Sequence, residues 1–406
     1  MNSLSGNPYI VKKEEKIIID LIPLDEIFEK YTTPLLIFLK NRIRDNIKMF
    51  DEVFKEEFER FEFFYSLKAN YLSEICEIVS SEKIGAEVVG LPELRVALNT
   101  GFSPEKIIVG GLYLPLDLIE FSIKNKIKEI IIHNIEDIDK INEVAYKYST
   151  VQNVCLRINS GKYDSRMGIK LGEFSLKSLK KTITKSKNVK VTSILSHFGS
   201  QMNNIDQYKR HVKLVIQNLK LLKTHDILIE NINFGGGFPE ATVMPKSQLK
   251  KIARMIKSCL VESNMTNKRI FFEPGRYLVG DSGLFLAEIV NVNEDRWIFL
   301  NVGNHICPKF ARCSLRFYNA TQINNPHKFK TSIAGIVPTD QDVLAKNYFF
   351  TKDPKKEDKV IITNTGAYCL TFSNRFPYPL PKIVLIEGRD IKTIFDPQID
   401  NDFSIG

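Results

Sequence analysis

From residue 35 onward, short runs of aliphatic, β-branched and aromatic residues alternate with polar ends and with stretches whose apolar positions recur at helical spacing. The runs are Leu35–Leu39, Phe61–Leu67, Ile84–Val89, Ile107–Gly111, Glu129–Asn134, Val154–Asn159, Ser193–Gly199, Asn231–Gly236 and Arg269–Pro274. They recur at about 20 to 40 residues, the length of a βα unit. Between them the periodicity predicts helices at Asn41–Phe58, Leu91–Asn99, Ile135–Lys147, Ile205–Thr224 and Lys246–Glu262. The runs are apolar without alternation, so they read as strands buried on both faces, as in a parallel sheet covered by helices. Repeated βα units of this kind predict an α/β region with a closed (β/α)8, TIM-like barrel over 35–275, a doubly wound open sheet being the alternative. Near residue 276 the texture changes to short alternating runs, Leu284–Val292, Trp297–Val302, Lys359–Thr363, Ile383–Glu387 and Ile391–Ile394, broken by Gly, Asn and Pro. These predict an antiparallel β-sandwich or barrel domain over 276–406, which residues 1–34 would join through a strand at Lys16–Ile19.

Composition narrows the class. With 406 residues, 43% hydrophobic and 26% charged, the chain has enough apolar surface for a substantial core, which excludes a disordered or collagen-like protein. The six cysteines show no CxxC pairing, which points to reduced thiols and no zinc site. The N-terminal stretch lacks the apolar run of a signal peptide, and no segment reaches the roughly 20 apolar residues of a spanning helix. A cytoplasmic protein with no membrane partner is expected. The net charge of +9 is spread over lysines interleaved with acids, as in Lys12-Lys13-Glu14-Glu15-Lys16, without a basic arm carrying aromatics. No nucleic-acid partner is expected.

In a βα barrel, chemistry collects at the C-terminal ends of the strands. Five strand ends carry polar groups: Lys68, Arg157, His197 with Gly199 and Ser200, the triplet Gly235-Gly236-Gly237, and Glu273-Pro-Gly-Arg276. A lysine closing an apolar strand would be desolvated, a setting for a Schiff-base amine, although a surface lysine is the plainer alternative. The glycines let backbone N–H groups approach an anion, or simply make a tight turn. Glu273 with Arg276 could be a salt bridge, and His197 a satisfied rim histidine.

Taken together, the segments TPLLIFLKNRIRDNI at 33–47, YSLKAN at 65–70, GAEVVGLPEL at 85–94, SHFGSQ at 196–201, NFGGGFP at 233–239, FFEPGRYLVG at 271–280, QDVLA at 341–345 and TGAY at 365–368 resemble the fold-type III pyridoxal phosphate decarboxylases, the family of diaminopimelate and ornithine decarboxylases. The resemblance implies that Lys68 holds pyridoxal 5'-phosphate covalently, His197 stacks on its ring, and Glu273 pairs with the ring nitrogen. Ser200, Gly235, Gly236, Gly237, Arg276 and Tyr368 would hold the phosphate, with Tyr368 supplied by the partner subunit of a homodimer. Arg157 and Glu87 resemble a ring-side polar pair, Glu87 standing where the family has aspartate. Arg166, in a loop that resembles a family segment, is given no role. No metal is implied.

Two departures bear on the substrate. The family's cysteine that returns a proton to Cα, and the acid after it, fall on Pro338 and Thr339 in Gly335–Asp342. Cys369, Cys307 and Lys68 are the candidate proton donors in their place, Cys369 being counted with the catalytic residues. The arginine that reads the distal carboxylate of diaminopimelate falls on Cys307. With His305, Lys309, Arg312 and Arg316 near the expected mouth, and His305, Cys307, Thr339 and Asp340 as candidate substrate contacts, the sequence points to an anionic amino-acid conjugate. A citryl-diamino acid of siderophore biosynthesis, such as citryl-ornithine, is the foremost candidate. The alternatives are a diaminopimelate, ornithine or lysine decarboxylase, a racemase or a decarboxylase coupled to oxidative deamination on the same cofactor, and a non-enzymatic regulatory homologue.

Overall fold

The computed structural model describes residues 2–162, 165–308 and 315–400. Among the described residues two compact units emerge: one is built from those within 47–239 and 244–275, the other from those within 2–46, 240–243 and 276–400.

The first unit is a closed barrel of eight parallel strands. They are β1 (Phe61–Ser66), β2 (Gly85–Val89), β3 (Ile107–Gly110), β4 (Glu129–Ile132), β5 (Gln152–Arg157), β6 (Val189–Leu195), β7 (Asn231–Asn233) and β8 (Arg269–Phe272). Neighbours in sequence are neighbours in the sheet, and β8 closes on β1 through Ile270 opposite Phe61. Inward side chains fill the interior: Phe64, Ile108, Ile131, Cys155, Leu195 and Phe271, from six of the eight strands, form one buried cluster. The predicted helices appear at Lys40–Lys55, Leu91–Asn99, Asp137–Lys147, Ile205–Lys223 and Lys246–Glu262. Helices at Ser73–Ser81, Leu116–Lys124 and Glu173–Lys185 were not read from the sequence. Ser73–Ser81 and Leu116–Lys124 have nine residues each, about two and a half turns, too few for an apolar period to stand out.

The run Leu35–Leu39, expected to open the barrel, does not belong to it. It is a central strand of the second unit, pairing antiparallel with Gly283–Val292 and parallel with Lys382–Glu387. All five of its residues are buried, so its sequence looks the same as that of a barrel strand. The sheet around it has nine strands and is mostly antiparallel. Lys16–Ile19 is a strand as expected, yet it pairs within a separate four-stranded sheet, with Ile10–Lys13 and Ile22–Pro23. It joins the larger sheet by packing: Ile17, Ile19 and Ile22 share one apolar core with Leu35, Ile37, Leu284 and Val384.

Candidate active site

The end of β1 sets the first group. Strand pairing stops at Ser66, and the chain turns through the short 3-10 segment Leu67–Ala69, which carries Lys68 at the barrel mouth. Lys68 Nζ donates to Glu87 Oε2 at 3.0 Å, and Ser66 Oγ donates to the same oxygen. Glu87, near the end of β2, is only 4% exposed. Burial would raise its carboxyl, but the charge of Lys68, the Ser66 hydroxyl and Arg157 outweigh that and hold it below the usual range. Lys68 is therefore not the desolvated amine expected. Its side chain is 43% exposed and paired with a carboxylate. Glu87, expected as a ring-side partner of Arg157, is primarily the anchor of Lys68.

A second carboxyl lies at the end of β8, the strand next to β1 in the barrel. Glu273 follows β8, is 6% exposed, and accepts from Asn233 Nδ2 at 2.7 Å through Oε1. Burial, and then the charge of Glu87, raise it to about 7; Lys68, Arg157 and Asn233 oppose this without cancelling it. A buried carboxyl that resists ionisation while surrounded by polar groups is a site waiting for a cationic donor. Asn233 was not singled out in the sequence. Its only signal in the sequence was that of a polar residue ending a strand.

The loops after β6 and β7 form an anion cradle. Gly235 N–H donates to Asn233 Oδ1 at 2.8 Å, and Glu273 N–H donates back to the Gly235 carbonyl at 2.9 Å. Gly236 admits no side chain, since a Cβ would lie 2.4 Å from the Glu273 carbonyl oxygen. Gly237, at φ 93°, would place one 2.1 Å from the Gly199 carbonyl oxygen. Neither the Gly236 nor the Gly237 N–H, nor those of Gly199 and Ser200, has a hydrogen-bond partner among the described residues. His197 sits against this loop, its Nδ1 3.1 Å from the Cβ position of Gly235. Burial and the charges of Lys68 and Arg157 push its ring down to about 3, so it is neutral.

Three nearby residues were not singled out in the sequence. Lys162, in the loop after β5, lies 4.7 Å over the Phe198 ring. His211, on the helix Ile205–Lys223, bonds the Ser196 carbonyl at 2.9 Å. His133, just past β4, is buried with Nδ1 unpartnered among the described residues and is lowered to about 4 by burial and Arg157.

The remaining expected residues lie in the second unit. Arg276 Nη1 donates to Glu240 Oε1 at 3.0 Å, and its guanidinium stacks 4.7 Å from the Tyr368 ring centre. Cys369 and Cys307, expected as a proton donor and a substrate contact, are both enclosed and hydrogen-bonded to each other, which together with burial raises Cys369 well above a thiol's usual range. This is a packed thiol pair, poorly placed for either expected role. His305 is buried too, 5.6 Å from the Tyr378 ring, and lowered to about 4 by burial. Thr339 and Asp340 are exposed at the tip of the 335–342 loop. The acid that organises this loop is Asp342, which accepts from Asn304 N–H at 2.7 Å and Val337 N–H at 2.8 Å. Arg316 opens a strand and is exposed, whereas Lys309 and Arg312 lie outside the described residues. No cluster of three metal-ligating side chains occurs among the described residues.

The barrel residues fit the cofactor that the resemblance implies. The unpartnered N–H groups suit a phosphate, the raised Glu273 suits a protonated ring nitrogen, and Lys68 supplies an amine at the mouth. The comparisons agree. The pyridoxal binding domain of pyridoxal-dependent decarboxylases matches residues 42–280. A diaminopimelate decarboxylase of Staphylococcus aureus (strain COL) is 26% identical over 385 residues, covering 89% of this chain and 90% of that protein. The structure of diaminopimelate decarboxylase from M. jannaschii in co-complex with L-lysine superposes with a TM-score of 0.86 at 25% identity, covering 96% and 95% of the two chains. A lysine decarboxylase from Selenomonas ruminantium shares the fold, with a TM-score of 0.75 at 18% identity over 90% of this chain and 95% of that one.

Proposed function

This chain belongs to the pyridoxal-dependent decarboxylase family and is a pyridoxal phosphate-dependent carboxy-lyase acting on an amino acid; from that premise we propose that its substrate is a diamino acid of the diaminopimelate type. The observation that carries the choice of substrate is its similarity to diaminopimelate decarboxylases across nine-tenths of both chains.

The proposed roles follow from the barrel mouth. Lys68 would hold the cofactor, the glycine cradle with Ser200 would hold its phosphate, and Glu273 its ring nitrogen. Pyridoxal phosphate, when bound, supplies a protonated aromatic ring that accepts the electron pair left when the Cα–carboxylate bond breaks. Glu273 keeps a proton at that nitrogen, because a cation facing a buried carboxyl whose other oxygen is held by Asn233 relieves the cost of its burial. Neutral His197 offers a flat, uncharged face and adds no competing charge. Glu87 fixes Lys68 Nζ through one oxygen, so the amine is positioned and able to carry a proton. Pro338 has no acidic proton and Cys369 is enclosed, so Lys68 Nζ returns the proton to Cα. The chain acts as a homodimer, the exposed tip of the 335–342 loop, residues 338–341, being offered to a second copy.

A second reading, an anionic conjugate such as citryl-ornithine, is favoured by one observation: Cys307, at the position the family gives to its carboxylate-reading arginine, is buried against Cys369. One assay separates the two. Release of labelled CO2 is measured from carboxyl-labelled diaminopimelate, lysine, ornithine and citryl-ornithine. Turnover of diaminopimelate supports the first reading, and turnover of citryl-ornithine alone overturns it. Lys68→Ala is expected to abolish both CO2 release and the visible absorption of bound cofactor.

A further inference from the structure

At the N-terminal ends of its strands, opposite the mouth that carries Lys68, the barrel unit holds a cavity of about 420 Å³. Its walls come from strand starts. Arg60 precedes β1, Lys128 precedes β4, Glu129 opens β4, Lys190 stands second in β6, and Lys268 and Arg269 lie at the start of β8.

Five of these six residues are cations, and the acids around them do not balance them. Lys128 and Arg269 share one carboxylate, Glu62, at 2.8 Å and 3.1 Å. Lys190 pairs at 2.7 Å with Glu230, which also lines the cavity. Lys268 Nζ donates to a neutral group, the Ile229 carbonyl. The exposed Arg60 guanidinium has neither an ion pair nor a hydrogen bond among the described residues. Even with Glu62, Glu129 and Glu230 all ionised, a positive excess remains.

Glu129 is the acid without a cation, and it is only 2% exposed. Its Oε1 accepts from Thr192 Oγ1 at 2.7 Å, from Asn231 Nδ2 at 3.4 Å and from the Ser193 hydroxyl. Its Oε2 is buried with no partner among the described residues. Three donors already fill Oε1, so a proton on this carboxyl belongs at Oε2, where it makes an O–H donor. Burial favours that proton, raising the carboxyl above its usual range against the opposing hydroxyls and Lys128. A water at Oε2 would satisfy the hydrogen bond and leave the charge unbalanced. An anion answers both needs, and the two arginines supply planar forks that suit phosphate or carboxylate oxygens.

We propose that this cavity is a second ligand site, taking a small oxyanion with two negative charges that is held by Arg60, Lys268 and Arg269 and accepts a hydrogen bond from Glu129. The site stands apart from the decarboxylation chemistry, and when filled it ties the starts of β1, β4 and β8 together.

The test uses the protein loaded with pyridoxal phosphate, so that the cradle at the mouth is filled. Inorganic phosphate and succinate are titrated separately by isothermal calorimetry at constant ionic strength. One phosphate or one succinate per chain is expected to bind saturably and to raise Tm, since it favours the folded state. The tighter of the two tells whether phosphate or dicarboxylate metabolites are the source. Arg60→Glu reverses a charge that no ion pair holds, and is expected to raise the Kd about tenfold or more. Glu129→Gln keeps an acceptor for Thr192, Ser193 and Asn231 and a donor in place of Oε2, and is expected to retain binding. Lys356→Gln, at an exposed lysine of the second unit, reports non-specific attraction and is expected to change nothing. Absence of saturable binding of either anion up to ~10 mM, a Kd untouched by Arg60→Glu, or equal weakening in Lys356→Gln would each overturn the proposal. So would tightening by Glu129→Gln, which would show that the carboxyl repels the anion instead of donating to it.

Discussion

Glu273 shows how much of the site's behaviour is decided by one side chain's surroundings. Buried beside a second buried carboxylate, it keeps its proton up to about 7, while in the unfolded chain it would ionise in the ordinary range. Between those values the folded state binds more protons than the unfolded one, so folding stability falls as pH rises through this window and the full cost persists above it. Glu273→Gln removes that cost and can still hydrogen-bond Asn233. The apoprotein variant is expected to melt higher than wild type at about pH 8, with the gain shrinking towards zero by about pH 5. A difference in Tm that does not change with pH would show that Glu273 is not the strained acid described. Lys68, His197 and Glu273 could be found in the sequence because each breaks an apolar run at a strand end. Asn233 and Lys162 could not be ranked, since an asparagine ending a strand or a lysine in a loop gains meaning only from what the fold places against it. Cys369 and Cys307 were misread for the complementary reason: a thiol's availability depends on burial, which its neighbours in sequence do not reveal.

At the scale of elements, the barrel is held by shape as much as by strand pairing. One wall packs Phe50 and Phe54 against Phe61, Phe238 and Phe272, with Phe54 and Phe272 centred 4.5 Å apart. Phe54→Ala is expected to cost about 3 to 5 kcal/mol of unfolding free energy in urea, the range for a fully buried aromatic. A loss below about 1 kcal/mol would mean the cluster repacks freely. The cradle is less forgiving. Gly236→Ala would push a methyl into the Glu273 carbonyl, displacing the end of β8 and the acid it carries. It is expected to abolish cofactor binding, read as loss of the visible cofactor absorption. Strand positions were legible because buried parallel strands are continuous apolar runs. Leu35–Leu39 was placed in the wrong sheet because that signal reports burial on both faces and not which sheet provides it.

For the molecule as a whole, the second unit is assembled from three stretches of chain, and Asp281 is where they meet. Fully buried, it accepts from Arg42 Nη2 at 2.6 Å, Asn46 Nδ2 at 2.7 Å and the Thr242 N–H at 3.1 Å, while its own carbonyl accepts from Asn7 Nδ2 at 2.7 Å. Asp281→Ala leaves Arg42 buried without its carboxylate, and is expected to destabilise the protein by about 3 to 5 kcal/mol in urea denaturation. The proposed homodimer is checked by sedimentation equilibrium, where a species of twice the chain mass is expected and a monomer at micromolar concentration would contradict it. No helix among the described residues is long and apolar enough to cross a membrane. The sequence by itself determined the barrel followed by a β domain, the lysine, histidine and glutamate at its strand ends, and the glycine triplet, because periodicity and local backbone freedom are written residue by residue. Only the tertiary structure decided that Glu87 anchors Lys68, that Arg276 pairs with Glu240, and that Cys307 and Cys369 form a closed pair. Charge pairing and desolvation depend on distances between residues far apart in the chain, and those distances exist only once it has folded.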